Sequence, residues 1–198
     1  MKIDETYLLP KTNYIEVENI KKQIIIGNTF NHDMRHFIGW LNRFNGKYKK
    51  TAAFTIDAAG IVYKHFEPSY QSEYFKELEL NNKSIVILLE NEGWLTKNPE
   101  NNQFISWLGH IYNGDEVFQK KWRDHSYWSP YSEEQINSTL ILAKELCEEF
   151  YIPLTAMTHN TKVEDLEDYK GILYKSNISK NYTDVSPAFD FDYFTNNI

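Results

Sequence analysis

A histidine and an aspartate towards the C-terminus have the residue types that bind zinc. His159 ends a short apolar run that begins at Leu154, and Asp184 follows in the tail. Imidazole and carboxylate are both good zinc ligands, but a hydrolytic zinc site needs three protein ligands and an open position for water. The pair therefore indicates either part of a zinc site or a surface histidine that is hydrogen-bonded by a loop aspartate.

Two histidines earlier in the chain are candidates for the missing ligand. His32 and His36 are four residues apart, and on a helix this spacing places both rings on one face. We predict His32 as the third ligand, beside His159 and Asp184, and zinc as the cofactor if any metal is bound. The alternative is a pair of ordinary exposed helix histidines, because an isolated His-x-x-x-His pattern is weak evidence for a metal.

Two carboxylates and an amide follow the most apolar run of the chain. Residues 85–89 are all aliphatic, and Glu90-Asn-Glu-Gly-Trp94 comes directly after them. Such a run is typical of a strand covered on both faces, and sites are usually built at the C-terminal edge of these strands. We predict Glu90 as a catalytic base and Asn91 and Trp94 as substrate-binding residues. The alternative is that the acids are solvated or cap a neighbouring helix.

The remaining patterns predict the elements that position these residues. They indicate strands at 23–28, 51–56, 61–66, 84–91 and 154–159, and helices at about 33–46 and 132–150. The second helix begins with the capping box Ser132-Glu-Glu-Gln135. Residues 162–198 are predicted to be mostly irregular. This order of elements predicts an α/β fold in which one mixed sheet is flanked by helices.

Length and composition indicate one domain. The 198 residues are 41% hydrophobic, which allows one sizeable core. We predict an N-terminal arm at 1–22 and a domain at 23–198. This domain carries a tryptophan-rich insertion at about 95–130, made of short helices and a surface loop. The insertion is either a functional loop or an excursion fixed by its packed tryptophans.

Charge and hydropathy exclude several classes of protein. A net charge of −7 argues against a nucleic-acid binder, and no uninterrupted apolar stretch is long enough for a membrane span. The N-terminus has no apolar signal segment, so we expect synthesis in a cytoplasm without a signal peptide. Cys147 is the only cysteine and is predicted to be a buried thiol. The aromatic content of 16% suits a surface that grips sugar, peptide or another protein.

Six short motifs, in order, resemble those of the zinc-dependent N-acetylmuramoyl-L-alanine amidases of type 2. This family includes phage lysins and shares its fold with peptidoglycan-recognition proteins. The motifs lie at 24–29, 52–63, 81–90, 131–135, 158–159 and 182–190. The clearest is Asn81-Asn-Lys-Ser-Ile-Val-Ile-Leu-Leu-Glu90, which resembles Asn-x-x-Ser-Ile-Gly-Ile-Glu of the family. The resemblance implies the amidase type 2 fold and a hydrolase that cleaves the amide between lactyl-muramic acid and L-alanine.

Three functional positions of the family are not kept. The first zinc histidine falls on Gly27, the catalytic tyrosine on Ala52, and the oxyanion-stabilising lysine on Tyr182. Lys180 lies close to the last of these, and we predict it as a substitute catalytic residue. The resemblance thus implies a retained scaffold with a depleted zinc site, in which His159 and Asp184 match the second and third ligands.

The resulting functional prediction is a peptidoglycan-directed protein of phage or bacterial origin. We predict a cell-wall-binding or virion module, in effect a pseudoenzyme, rather than an efficient hydrolase. Its predicted partners are peptidoglycan or muropeptides and phage virion proteins, and its destination is the virion or, after release, the cell wall. The alternative is an active zinc amidase that lyses cell walls, and a third reading is an unrelated α/β protein with chance matches.

Overall fold

A six-stranded mixed sheet runs through the computed structural model of the protein, which describes residues 2–198. Within this range the strands are β1 (Ile3–Asp4), β2 (Gln23–Asn28), β3 (Phe54–Ile56), β4 (Val62–Lys64), β5 (Ser84–Leu89), β6 (Trp94–Lys97), β7 (Phe104–Ser106), β8 (Phe118–Trp122), β9 (His125–Trp128) and β10 (Gly171–Tyr174). The central sheet has the order β1-β4-β3-β5-β2-β10. In it, β3, β5, β2 and β10 are parallel, whereas β4 is antiparallel to β3.

The predicted central strand is confirmed. β5 lies between β3 and β2, and every residue from Ser84 to Leu89 is buried. β2 pairs with it over its whole length and is buried throughout as well. Two covered strands with parallel partners explain why both segments read as continuous aliphatic runs. The predicted strands at 51–56 and 61–66 correspond to β3 and β4, which form a hairpin in antiparallel register.

Helices cover the central sheet. In chain order they are α1 (Arg35–Asn42), α2 (Leu78–Lys83), α3 (Glu133–Glu149), α4 (Lys175–Ile178) and α5 (Phe191–Asn197). The capping prediction for α3 is confirmed, since the Ser132 hydroxyl accepts the Gln135 N–H at 3.0 Å. Cys147 is buried on this helix, as predicted, and burial raises the pKa of its thiol to about 11.

The prediction of short helices in the insertion is wrong. Residues 94–128 contain a second, antiparallel sheet with the order β7-β6-β9-β8. Trp128 is fully buried in it and donates its indole N–H to the Lys120 carbonyl at 2.8 Å. Charged residues along exposed β8 hid the strand alternation from the sequence pattern. Trp128 packs inside this sheet, whereas Trp107 is 49% exposed.

One prediction for the C-terminal part is also wrong. Residues 154–159 form no strand and contribute only an isolated bridge from Ala156 to Ile172. The strand of this region is β10, which pairs in parallel with β2 and is buried throughout. Leu154 is 47% exposed, whereas Ala156 and Met157 are half-buried against the core. The tail is mostly irregular, as predicted, although 15 of its 37 residues from 162 to 198 form β10, α4 and α5.

The predicted N-terminal arm packs against the domain. β1 extends the central sheet beside β4, and Leu9 is buried in the core. The buried Asn13 amide donates to the carbonyls of Trp40 and Tyr48. Across residues 2–198, no helix is both long and apolar enough to cross a membrane.

Candidate functional site

An ion pair is buried where β2 and β10 end. Tyr174 pairs with Ile26, so the next residue, Lys175, lies beside Gly27. The Lys175 ammonium is 3.1 Å from Asp184 Oδ2, and Lys175 and Asp184 are 9% and 1% exposed. The C-terminal edge of the central sheet therefore holds a lysine and an aspartate that neutralise each other.

Aromatic rings surround the ammonium of Lys175. Its Nζ lies 4.7 Å from the ring centre of Tyr182, 5.3 Å from that of Tyr74 and 5.9 Å from that of Phe30. Ring faces attract cations through their quadrupole, most strongly when water is excluded. Burial lowers the pKa of Lys175, but the Asp184 charge and Tyr74 outweigh it, so the pKa is raised and the amine stays charged.

Gly27 leaves the space in which this pair sits. A β-carbon built on Gly27 would lie 2.8 Å from Asp184 Oδ2 and 3.3 Å from both Lys175 Cδ and Leu88 Cδ2. The first distance is shorter than real β-carbons tolerate, so a side chain at this position would displace the carboxylate. Leu88, directly across from Gly27 on β5, brings an aliphatic group to the site.

Hydrogen bonds fix Asp184 from the side of β2. The Asn28 backbone N–H donates to Asp184 Oδ2 at 3.0 Å. The Asn28 side chain is bound by Tyr131, whose hydroxyl donates to its Oδ1 at 2.9 Å and accepts the Ser186 N–H at 3.2 Å. The Asn28 side-chain oxygen thus has a protein partner, and the aspartate is anchored on both sides.

The insertion supports the segment that leads to Asp184. Arg123, between β8 and β9, donates to the carbonyls of Ser176 and Ser179 at 2.8 and 2.9 Å, and also to that of Tyr182. A planar guanidinium can serve several acceptors at once because its donors form a fixed fork. Arg123 therefore positions the chain between Lys175 and Asp184.

An open groove of about 240 Å³ lies over the ion pair. Its lining combines aromatic rings with the polar residues of the tail: Phe30, Trp94, Trp107, Lys175, Asn181, Tyr182, Thr183 and Asp184. Trp107 is 49% exposed and donates its indole N–H to the Phe30 carbonyl at 3.3 Å. Aromatic walls with a few convergent polar groups are the usual make-up of a ligand site.

Sequence comparison places the chain in a family. The sequence model of the family Amidase_2, N-acetylmuramoyl-L-alanine amidase, matches residues 18–171, more than three quarters of the chain. The chain belongs to the N-acetylmuramoyl-L-alanine amidase family. The match ends before Lys175 and Asp184. A search of curated protein sequences gave no match.

Solved amidase structures have the same fold. The N-acetylmuramoyl-L-alanine amidase LysC from Clostridium intestinale URNW is 12% identical, covers 98% of this chain and 95% of its own, and has a TM-score of 0.53. The endolysin amidase LysCS from the same organism gives the same identity, coverage of this chain and TM-score, over 92% of its own length. Drosophila peptidoglycan recognition protein SD is 10% identical. It covers 81% of this chain and 75% of its own, with a TM-score of 0.42. The likeness to the two amidases confirms the predicted fold.

His159, predicted as a zinc ligand, has aromatic neighbours in the structure. Its ring stacks on Phe191 at 4.2 Å between centres and tilts towards Trp122 at 4.8 Å. Its Nε2 is buried without a hydrogen-bond partner. Burial, followed by the charges of Lys120 and Arg123, lowers the pKa of His159 to about 4, so the ring is neutral near pH 7.

The other predicted ligands are engaged elsewhere. His32 Nδ1 lies 3.1 Å from a Glu92 carboxylate oxygen, while Asp184 pairs with Lys175. In residues 2–198, no three His, Cys, Asp or Glu side chains converge in a way that could hold a metal ion. The structure therefore does not bring His32, His159 and Asp184 together as one set.

Glu90 and Asn91 have structural partners. A Glu90 carboxylate oxygen accepts the Met34 N–H at 2.6 Å just before α1, which is the helix-capping alternative. Burial raises the pKa of Glu90, and the bond from Met34 partly offsets this. The Asn91 amide donates to the Ser129 and Pro130 carbonyls, and Asn91 is 4% exposed.

Trp94 is the predicted site residue that lines the groove together with Asp184. Its ring stacks on His125 at 4.3 Å between centres. Lys180 is exposed and borders a different surface groove, beside Trp122. Sequence reasoning missed Lys175 and Arg123. Lys175 was missed because β10 was not predicted. Recognition of β10 as a strand next to β2 would have placed Lys175 beside Gly27.

The residues at the end of β2 and β10 do not fit the zinc ion that the family implies. Gly27 offers no ligand atom, Leu88 offers an aliphatic group, and Asp184 already binds an ammonium. Zinc needs several convergent nitrogen, sulfur or oxygen donors at about 2 Å. The edge of the sheet presents one carboxylate together with a positive charge.

Proposed function

We propose that this member of the amidase family binds peptidoglycan in the groove over Lys175 and Asp184 without hydrolysing it. The observation that carries the proposal is the buried ion pair at the floor of an aromatic-walled groove. Family membership supplies the ligand class, and the ion pair argues against metal-dependent chemistry. The alternative is an active zinc amidase that cleaves the bond between lactyl-muramic acid and L-alanine.

The groove has the chemistry to hold a glycopeptide. The apolar faces of sugar rings pack well on aromatic side chains, and Trp94 and Trp107 both line the groove. Asn181 and Thr183 add amide and hydroxyl groups that can hydrogen-bond sugar hydroxyls or peptide groups. These features support binding of a muropeptide along the groove.

Hydrolysis of an unactivated amide needs catalytic groups in addition to a binding groove. In a metallohydrolase the metal polarises the carbonyl and lowers the pKa of the attacking water. The family's tyrosine position holds Ala52, which is fully buried, and its lysine position holds Tyr182, whose ring packs against Lys175. Ala52 has no group for proton transfer, and Tyr182 lacks the positive charge with which a lysine stabilises an oxyanion.

Binding is tested by co-sedimentation with insoluble peptidoglycan in the presence and absence of EDTA. We expect binding that EDTA leaves unchanged and that Trp107→Ala weakens about tenfold, the loss expected for one aromatic contact. Tyr151→Ala is the matched control, because Tyr151 is 94% exposed and does not line the groove, and it should bind as the wild type does.

Hydrolysis is tested with purified muropeptides in buffer containing zinc. We expect no release of L-alanine-terminated peptide, and we expect His159→Ala to sediment with peptidoglycan as the wild type does. Metal-dependent release that His159→Ala abolishes would establish the active amidase instead. Failure of the wild type to sediment would leave the predicted virion or structural role as the better hypothesis.

A further inference from the structure

We propose that Lys175 is a built-in cation that takes the place of the family's metal ion and excludes zinc from the site. The proposal deepens the proposed function by explaining how the site became independent of metal. It does not rest on peptidoglycan binding, because it concerns the cation at the floor of the groove and not the ligand above it.

One carboxylate oxygen of Asp184 is already bound to Lys175. Its Oδ2 faces the Lys175 ammonium at 3.1 Å and also accepts the Asn28 N–H at 3.0 Å. A zinc ion on the same oxygen would lie about 2 Å away, within the space of the ammonium. Two cations cannot share one buried carboxylate oxygen, because their repulsion is strong where water is excluded. Zinc bound to Oδ2 would therefore have to expel Lys175, whereas the other oxygen, Oδ1, is buried without a hydrogen-bond partner.

The second step concerns the space that Gly27 leaves. A β-carbon at Gly27 would come within 3.3 Å of Lys175 Cδ and 2.8 Å of Asp184 Oδ2. A side chain at position 27 would therefore require the Asp184 carboxylate to move and Lys175 to shift by a few tenths of an ångström. The absence of a side chain at Gly27 thus favours the observed ion pair.

The third step concerns the surroundings of the ammonium. The rings of Tyr182, Tyr74 and Phe30 lie within 6 Å of Nζ, and the Tyr74 hydroxyl is 3.4 Å away. Ring faces stabilise the single positive charge of an ammonium, but a zinc ion needs donor atoms that the face of Phe30 lacks. The surroundings are therefore matched to an ammonium and not to a metal.

The test is a zinc titration with a competing chromophoric chelator, supported by metal analysis of the purified protein. Wild type should carry no stoichiometric zinc, and Asp184→Ala should not change its zinc content. The variant Gly27→His/Lys175→His removes the ammonium and supplies two imidazoles beside Asp184. We expect it to bind one zinc ion at least about a hundredfold more tightly than wild type, and to lose that ion when Asp184→Ala is added.

Two outcomes would overturn the proposal. One is a wild-type protein that binds one zinc ion and loses it in Asp184→Ala, which requires no engineered site. The other is a folded Gly27→His/Lys175→His variant with no gain in zinc affinity. Peptidoglycan sedimentation is scored separately, so loss of the binding proposal and loss of this one give different results.

A second comparison covers the case in which the histidine variant does not fold. Lys175→Met leaves the Asp184 carboxylate buried and unpaired, whereas Lys175→Met/Asp184→Asn removes both charges. We expect the double variant to melt at a higher temperature than the single one, because an uncompensated buried charge costs more than a neutral pair. Equal or reversed melting temperatures would show that Lys175 does not act as the counter-charge of Asp184.

Discussion

Arg123 Nη2 lies 2.8 Å from the carbonyl oxygen of Ser176 and thereby joins the insertion to the tail of the chain. The same guanidinium serves the carbonyls of Ser179 and Tyr182. The second sheet is therefore connected to the rest of the domain by hydrogen bonds to the tail. It holds the segment that runs from Lys175 to Asp184, so that the insertion contributes to the floor of the groove.

Arg123→Lys should destabilise the protein by about 1–3 kcal/mol, because one ammonium cannot replace a fork that serves three carbonyls. Urea unfolding measures the change. Arg43→Lys is the matched control, since Arg43 is exposed and rests on the Tyr48 ring, and it should change the free energy of unfolding by less than about 0.5 kcal/mol. Equal stability of Arg123→Lys and wild type would contradict a positioning role for Arg123.

Gly27→Ala should lower the free energy of unfolding by about 1–3 kcal/mol, because the new methyl group would meet Asp184 Oδ2 at 2.8 Å. Gly39→Ala is the control. Gly39 lies within α1, and a β-carbon there has no neighbour within 4 Å, so alanine should be neutral or stabilise the protein by up to about 1 kcal/mol. Thermal melting of both variants checks the contrast, and a Gly27→Ala variant as stable as Gly39→Ala would count against close packing at the ion pair.

Two buried histidines should make the protein sensitive to acid. His36 Nε2 and His65 Nε2 lie 3.1 and 2.8 Å from Thr55 Oγ1, and His65 Nδ1 is 2.8 Å from the Tyr7 carbonyl. The carbonyl requires a proton on His65 Nδ1, so Thr55 donates to His65 and accepts from His36. Burial, with the neighbouring His65 as a second cause, lowers the pKa of His36 to about 3, and burial lowers that of His65 to about 4.

Both folded-state pKa values lie below the usual 6.5, so between these values the unfolded chain binds more protons than the folded one. The free energy of unfolding is therefore at its full value above about pH 6.5. It decreases as the pH falls towards 4, by roughly 3 kcal/mol per histidine at most. Urea unfolding from pH 7.5 to 4 measures the slope. His65→Gln should reduce this slope, whereas exposed His110→Gln should leave it unchanged; an unchanged slope in His65→Gln would contradict the assignment.

The sequence predicted the parts of the fold that have strong local patterns. The aliphatic run of β5 and the capping box of α3 each have one clear reading, because burial on both faces and a satisfied N-terminus leave distinct signatures. β8 was missed because four of its five residues are exposed and two are lysines, so no alternation marks it. The four residues of β10 were missed because their burial comes from pairing with β2, which is far away in sequence.

The site was less predictable than the fold. Asp184 was identified from its residue type and the family motif, and Trp94 from its place after the central strand, and both line the groove. The partner of Asp184, however, was sought among the histidines. A lysine replacing a metal has no motif of its own, and only the register that sets Lys175 beside Gly27 reveals it. The predicted base Glu90 accepts a hydrogen bond from the Met34 N–H at the N-terminus of α1. No residue spacing within β5 could indicate this contact.

Tyr131→Phe should destabilise the protein although it removes only one oxygen atom. The Tyr131 hydroxyl connects the Asn28 side chain with the Ser186 N–H, and burial raises its pKa to about 12, so it remains a donor over the working pH range. Phenylalanine would leave the buried amide of Asn28 and the N–H of Ser186 without this partner, at a cost of about 1–3 kcal/mol.

The same change should loosen Asp184, because the Asn28 N–H and the Ser186 segment flank it on both sides. Amide hydrogen exchange at Asn28 and Ser186 should therefore rise in Tyr131→Phe, in addition to the loss in urea stability. Tyr151→Phe is the matched control, since Tyr151 is 94% exposed, and it should alter neither quantity. A Tyr131→Phe protein with wild-type stability and wild-type exchange at both amides would show that the hydroxyl does not anchor the ion pair.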